Sequence, residues 1–144
     1  FLWGDWLQLE ALPKLEETTE STSITAAYSC PHGRHQRQVQ VDGTGLQWLV
    51  TDHCSGFQNR MVLRWRLAPC DWQLQRSTSS AVVHGLHATL SITSNLIIKR
   101  LELLNGWESS HYGHKTALPV LEVEVAASSP TPVLITTQIA LIPS

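Results

Sequence analysis

The sequence predicts a single all-β domain, an antiparallel sandwich of two packed sheets with few or no helices. In residues 59–67 apolar side chains at 61, 63, 65 and 67 alternate with three arginines and a valine, which places the two sets on opposite faces of a strand. Turn signals recur every 8 to 12 residues or so, a spacing typical of sandwiches and barrels. With 144 residues, of which 42% are hydrophobic, the chain suits one domain with a real core.

The first half of the chain predicts a meander of short strands. Residues 1–9 alternate loosely around tryptophans and favour a strand, whereas the acidic, polar residues 14–21 favour an exposed connection. The following strands are each bounded by a turn that contains glycine or proline, and they are predicted at residues 22–30, 35–42, 46–53 and 59–67.

The second half continues the same pattern with strands predicted at residues 72–76, 81–86, 87–93, 96–104, 119–126 and 133–142. The segment 96–104 also fits a helix, but its length and its β-branched residues favour a strand. Residues 105–116 are polar and contain glycine, so we expect a loop there.

Charge, hydropathy and cysteine count exclude several classes of protein. A net charge of −2 argues against a basic nucleic-acid-binding domain. No apolar run approaches the roughly 20 residues that span a bilayer, so we expect no membrane partner. The three cysteines are an odd number without a C-x-x-C motif, which favours free thiols over a disulfide framework, although one pair stays open.

Five short motifs give the chain its resemblance to a known family, and they occur in the family's order. They are HQR at 35–37, WLVTD at 48–52, LRWRLAP at 63–69, WESSHYG at 107–113 and LITT at 134–137. In this order they resemble the C-terminal β-sandwich region of the heparinase II/III-like family, from about residue 22 onward. The resemblance implies a supersandwich-like fold.

Members of that family are polysaccharide lyases in which an α/α-toroid precedes the sandwich. The resemblance implies β-elimination on uronic-acid polysaccharides, with the catalytic residues on the toroid and the metal ligands on strands upstream of residue 1. It therefore assigns no catalytic residue, metal ligand or cofactor to this chain, and a metal would belong to the rest of the parent protein. We expect residues 1–144 to be the C-terminal fragment of a larger protein, without turnover of its own.

The resemblance also implies partners and a compartment. They are an acidic polysaccharide, the missing N-terminal toroid, and a periplasmic or extracellular location. Strands missing upstream would leave an exposed sheet edge, so a dimer through that edge is one further expectation. The alternative is a stand-alone carbohydrate-binding or structural sandwich module.

The candidate substrate-binding residues are three arginines on one predicted sheet face and three residues of the WESSHYG motif. Arginine binds carboxylate or sulfate through paired, charge-assisted hydrogen bonds, so a row of them suits successive acidic groups of a glycan. The alternative is that the arginines pair across strands with glutamates, Glu122 and Glu124, or contact another domain. The candidates are Arg60, Arg64, Arg66, Trp107, His111 and Tyr112.

Three His-x-x-His pairs, at 32/35, 84/87 and 111/114, raise the question of a metal site. A spacing of three puts the rings on opposite faces of a strand, so only a loop could bring a pair together. His111 and His114 have the most loop-like context, and with Tyr112 between them an acid and a base would be close. Asp52, at the end of an apolar strand, is expected to accept backbone or arginine hydrogen bonds. We predict no metal site in the chain.

Overall fold

A computed structural model describes residues 8–57, 59–126 and 131–143, and within these residues it contains strands and no helix. No helix in this part of the chain is long and apolar enough to cross a membrane. The strands are β1 (Gln8–Leu9), β2 (Lys14–Glu17), β3 (Ser21–Cys30), β4 (Gly33–Asp42), β5 (Gln47–Ser55), β6 (Arg60–Arg66), β7 (Gln73–Arg76), β8 (Ser80–His84), β9 (Ala88–Ser94), β10 (Ile98–Glu108), β11 (Thr116–Ala126) and β12 (Val133–Leu141).

The strands form two antiparallel sheets of unequal width. The larger sheet has nine strands in the order β1-β3-β4-β5-β12-β9-β8-β7, with β2 beside β1 along the same edge of β3. The smaller sheet has three strands in the order β10-β11-β6. The predicted all-β sandwich is therefore confirmed, including the strand rather than the helix in the segment from residue 96.

The core lies between the smaller sheet and one half of the larger sheet. Alternate residues of β11, among them Leu121, Val123 and Val125, point inward and are fully buried. They pack with β-branched residues from the larger sheet, such as Ile92 on β9 and Ile135 on β12. The small sheet thus covers β5, β12, β9 and β8.

The other end of the larger sheet, formed by β1, β2 and β3, has no strands above its inner face within the described residues. The register places Leu9, Leu15, Ile24 and Tyr28 on this face. Leu9 is 54% exposed and Leu15 is 57% exposed. Apolar side chains on a sheet face normally lie against a second layer, and the part of the chain that the structure describes provides none over these residues.

Two predicted boundaries were wrong. Residues 14–17 were expected to connect strands but form β2, because they pair with the free edge of β3 whatever their own polarity. Residues 105–108 were expected in a loop but continue β10, paired with residues 116–119 of β11. The predicted strand at residues 1–9 lies outside the described residues, except for Gln8–Leu9, which is β1. All three cysteines are free, as expected.

Candidate functional site

The outer face of the small sheet carries a network of ion pairs across its three strands. Arg100 on β10 lies at the centre, 2.7 Å from Glu122, 2.9 Å from Glu102 and 3.1 Å from Glu124. Arg64 Nε donates to Glu122 Oε1 at 2.6 Å from the opposite side. The hydrogen bond from Arg100, followed by that from Arg64, lowers the pKa of Glu122 despite its burial. The network is therefore charged at neutral pH.

This network determines which of the three candidate arginines on β6 have an ion-pair partner. Arg64 is paired with Glu122, and Arg60 lies 3.8 Å from Glu124, as the cross-strand alternative predicted. Arg66 lies beside Val120 in the register, and no ion pair involves it in the described part of the chain. Two of the three arginines are thus largely neutralised, and positive charge is left at the Arg66 end of β6.

A groove of about 400 Å³ opens at that end. Arg64 and Arg66 line it from β6, and residues 104–107, including Trp107, line it from β10. Trp107 is 54% exposed, and Lys115 Nζ lies 4.2 Å from the centroid of its ring. An exposed indole can stack on a sugar ring, and Lys115 over the indole and Arg66 in the same groove can attract an acidic group of that sugar.

The loop between β10 and β11 holds the other two candidate residues. The rings of His111 and His114 lie 4.4 Å apart, so this loop does bring one His-x-x-His pair together. Ser110 Oγ lies 3.0 Å from His111 Nδ1, and Tyr112 is fully exposed. Within the described residues no three His, Cys, Asp or Glu side chains are placed to hold a metal ion. The groove is lined by Arg64, Arg66 and Trp107 but by none of Arg60, His111 and Tyr112.

A second polar cluster, on the inner face of the larger sheet, centres on Asp52. The carboxylate of Asp52 is fully buried. Its Oδ1 accepts hydrogen bonds from His35 Nε2 at 2.6 Å and from Arg37 Nε at 2.7 Å. Its Oδ2 accepts a hydrogen bond from Arg37 Nη2 at 3.0 Å. The Tyr28 hydroxyl lies 2.9 Å from His35 Nδ1. The guanidinium of Arg37 also stacks over Trp65, 5.1 Å from the ring centroid. The cluster joins β3, β4 and β5 of one sheet to β6 of the other.

The protonation states in this cluster follow from its geometry. Burial alone would raise the pKa of Asp52, but the hydrogen bonds from His35 and Arg37 outweigh it, and the pKa is lowered. An ionised carboxylate can accept hydrogen bonds but not donate them, so His35 Nε2 is the donor to Asp52 and carries a proton. When His35 is neutral, its Nδ1 accepts from Tyr28. Burial, followed by the charge of Asp52, raises the pKa of the neighbouring Cys54 thiol to about 12.

A cavity of about 640 Å³ adjoins this cluster. Its inner wall consists of residues from β3, β4 and β5, including Tyr28, His35 and Asp52, and its outer wall consists of Phe57 and the first residues of β6. The sequence predicted that Asp52 accepts hydrogen bonds from the backbone or from an arginine, but not that His35 and Tyr28 join the same cluster. The available signal was the shared parity of residues 35 and 37, which puts both side chains on one face of β4.

The fold and the two polar clusters define a class of protein, an antiparallel β-sandwich whose two sheets do not match in width. Neither a scan of the sequence against protein-family models nor a search of the curated proteins finds a match. The solved structures do contain the fold. A heparan sulfate lyase HepC from Pedobacter heparinus and a mutant of it both superpose with a TM-score of 0.72 over 96% of this chain, at 17% and 18% identity.

A crystal structure of heparinase III also superposes, with a TM-score of 0.70, 12% identity and 94% of this chain covered. The predicted resemblance to the heparinase II/III-like family is thus confirmed as a likeness of fold. This chain spans only 21% to 22% of the length of the protein in each of these three structures.

Proposed function

We propose that this chain is the accessory β-sandwich of a heparinase II/III-like polysaccharide lyase that cleaves uronic-acid polysaccharides by β-elimination. The observation that carries the proposal is the fold, which matches heparan sulfate lyase HepC over 96% of this chain but only 22% of that protein. In this view the chemistry belongs to the remainder of the parent protein, an N-terminal toroid, and the sandwich contributes to holding the acidic glycan.

The groove at the end of β6 is where we place that contact. Arg66 has no glutamate opposite it in the register, and Trp107, which is 54% exposed, lines the same groove. A uronate or sulfate group on the glycan would pair with the Arg66 guanidinium while a sugar ring stacks on the indole. Arg60, His111 and Tyr112 lie outside this groove and are proposed only as more distant contacts.

Affinity measurements with heparan sulfate and this chain test the proposal. Arg66→Gln and Trp107→Ala should each weaken binding about tenfold, because each removes one charged or stacking contact. Arg76→Gln removes the same charge from the exposed strand β7, outside the groove, and should leave binding nearly unchanged. Equal weakening by Arg66→Gln and Arg76→Gln would indicate only diffuse attraction, which salt screens.

Turnover separates this proposal from its alternatives. The chain alone should produce no rise in unsaturated-uronate absorbance from heparan sulfate, whereas the parent protein should. Groove-dependent binding in a protein without any lyase activity would favour a stand-alone carbohydrate-binding module. Absence of glycan binding in a folded chain would favour a purely structural module.

A further inference from the structure

We propose that a pocket beside the turn between β4 and β5 is a second binding site, and that its ligand is a neutral sugar ring, a polyhydroxylated ring without an acidic group. The pocket has a volume of about 380 Å³, within the range of about 300 to 1,000 Å³ that is typical of small-molecule sites. It shares no lining residue with the groove at the end of β6. A ligand can therefore occupy it whether or not the chain belongs to a lyase.

Strand register forms the floor of this pocket. It places Gln40 on β4, Leu49 on β5 and Gln138 on β12 side by side in one row across three neighbouring strands. The next residues toward the core, Val50 and Thr137, are buried, so the row faces outward from the larger sheet. Neighbouring strands lie about 4.8 Å apart, so an apolar position has an amide-bearing position on either side at that spacing. A sugar ring has a matching arrangement, with C–H groups on its faces and hydroxyls around its rim.

Three glutamines of the pocket can bind the ring hydroxyls. Gln40 Nε2 donates to Ser21 Oγ at 3.1 Å, which holds the amide in place and leaves its Oε1 as an acceptor. Gln47 and Gln138 also line the pocket and are exposed, and each amide carries two donor hydrogens and one acceptor oxygen. A hydroxyl both donates and accepts, so a mixed set of donors and acceptors suits a neutral polyhydroxylated ligand.

Trp48 gives the pocket an aromatic wall. It is 37% exposed, and its Nε1 donates to the carbonyl oxygen of Gly45 at 3.0 Å. Gly45 lies in the turn with a φ of 73°, in the left-handed region that favours glycine. Because the one donor of the indole is satisfied by this turn, the ring face is left for an apolar contact, such as the C–H face of a sugar.

Two carboxylates, Asp42 and Glu20, disfavour an acidic glycan in this pocket. Asp42 Oδ2 accepts from Thr44 Oγ1 at 2.7 Å, and its Oδ1 accepts from the backbone amides of Leu46 and Gln47, each at 3.1 Å. These hydrogen bonds, that from Thr44 first, lower the pKa of Asp42, so it is ionised at neutral pH. The described residues that line the pocket include no lysine, arginine or histidine. A uronate or sulfate group would therefore meet like charge there.

The same contacts favour a neutral ring over an ammonium group. The turn already occupies the Asp42 carboxylate with three hydrogen bonds, which leaves Glu20 to pair with a cation. Glu20 is exposed, and water weakens an ion pair at such a position. Recognition then depends on the glutamine amides and the indole, which bind an uncharged ring.

Titration of this chain with defined tetrasaccharides, followed through its amide and indole NMR signals, tests the proposal. The neutral probes are cellotetraose, maltotetraose and N-acetylchitotetraose, and the acidic probe is a heparan sulfate tetrasaccharide. At least one neutral probe should bind with a Kd of about 1 mM or lower and shift the indole signal of Trp48. Its Kd should stay the same between about 50 and 500 mM salt, because no charge on the ligand is screened. Absence of binding by all three neutral probes would overturn the proposal.

Gln40→Ala and Gln138→Ala should each weaken binding of the neutral probe about threefold to tenfold, because each removes hydrogen bonds to its hydroxyls. Gln38→Ala is the matched control. Gln38 is exposed on the same face of the same strand as Gln40 but does not line the pocket, so this variant should leave the Kd unchanged. Equal weakening by all three variants would place the binding elsewhere and overturn the proposal.

Two comparisons test the preference for a neutral ligand. Chitotetraose carries amines where N-acetylchitotetraose carries neutral amides, and tighter binding of the amine form that is lost in Glu20→Gln would overturn that preference. Heparan sulfate binding that is lost in Gln40→Ala would overturn it as well. Arg66→Gln should weaken heparan sulfate binding and leave the neutral probe unaffected, so failure of the proposed function and failure of this second site give different results.

Discussion

Replacing Asp52 with asparagine tests whether the buried carboxylate cluster holds the two sheets together. The carboxylate accepts hydrogen bonds of 2.6 Å from His35 and of 2.7 and 3.0 Å from Arg37. Breaking a buried ion pair costs about 3 to 5 kcal/mol, because the remaining charge is left without its partner. The Arg37 side chain is 35% exposed and regains water, so we expect the lower end, about 3 kcal/mol.

Urea denaturation followed by tryptophan fluorescence measures this loss, and the melting temperature should fall by about 10 °C for a domain of this size. Asp71→Asn is the matched control, because it removes the same charge from an exposed loop position. It should change the free energy of unfolding by less than about 0.5 kcal/mol. A change of that small size for Asp52→Asn would refute the role that we give the cluster.

Three further predictions concern pH, thiol reactivity and packing. Because its partners lower the folded-state pKa of Asp52, the carboxylate stabilises the fold above about pH 4, and this stabilisation is lost as the pH falls through the folded-state pKa. Urea titrations at pH 7 and pH 3 should therefore show a smaller loss on acidification in Asp52→Asn than in the wild type. Cys54, with a pKa of about 12 and 3% exposure, should resist iodoacetamide at pH 8 in the native state, while the other two thiols react; alkylation of all three at one rate would contradict this. Gly106→Ala should destabilise by about 1 to 3 kcal/mol, because the added methyl would overlap Val120 Cγ2, and Val120→Ala should restore part of the loss if this contact is the cause.

The arginine row is the clearest case in which a pattern predicted placement but not role. Alternation in residues 59–67 predicts that Arg60, Arg64 and Arg66 share a face of β6. It does not state which residues of β11 lie opposite them. The register puts Glu122 beside Arg64 and Val120 beside Arg66. For this reason Arg64 has a carboxylate opposite it for an ion pair and Arg66 has an apolar side chain.

Sheet edges explain the two wrong boundaries. Residues 14–17 carry two glutamates, a lysine and a single leucine, so no alternation of apolar and polar residues marks a strand there. Pairing with β3 makes them a strand because the backbone of an open edge accepts a partner of almost any sequence. Similarly, residues 105–108 remain in β10 because β11 continues beside them.

Local pattern determined the β class, most strand positions and the face on which each side chain lies, because a period of two depends only on the backbone of the strand itself. Tertiary structure alone decided that Tyr28, His35, Arg37 and Asp52 meet, since they come from three strands brought together by pairing. It also decided that, among the described residues, the three-stranded sheet covers only about half of the nine-stranded sheet. The width of a sheet and the register of its strands depend on pairing between segments far apart in the chain, and the period of two within one strand determines neither.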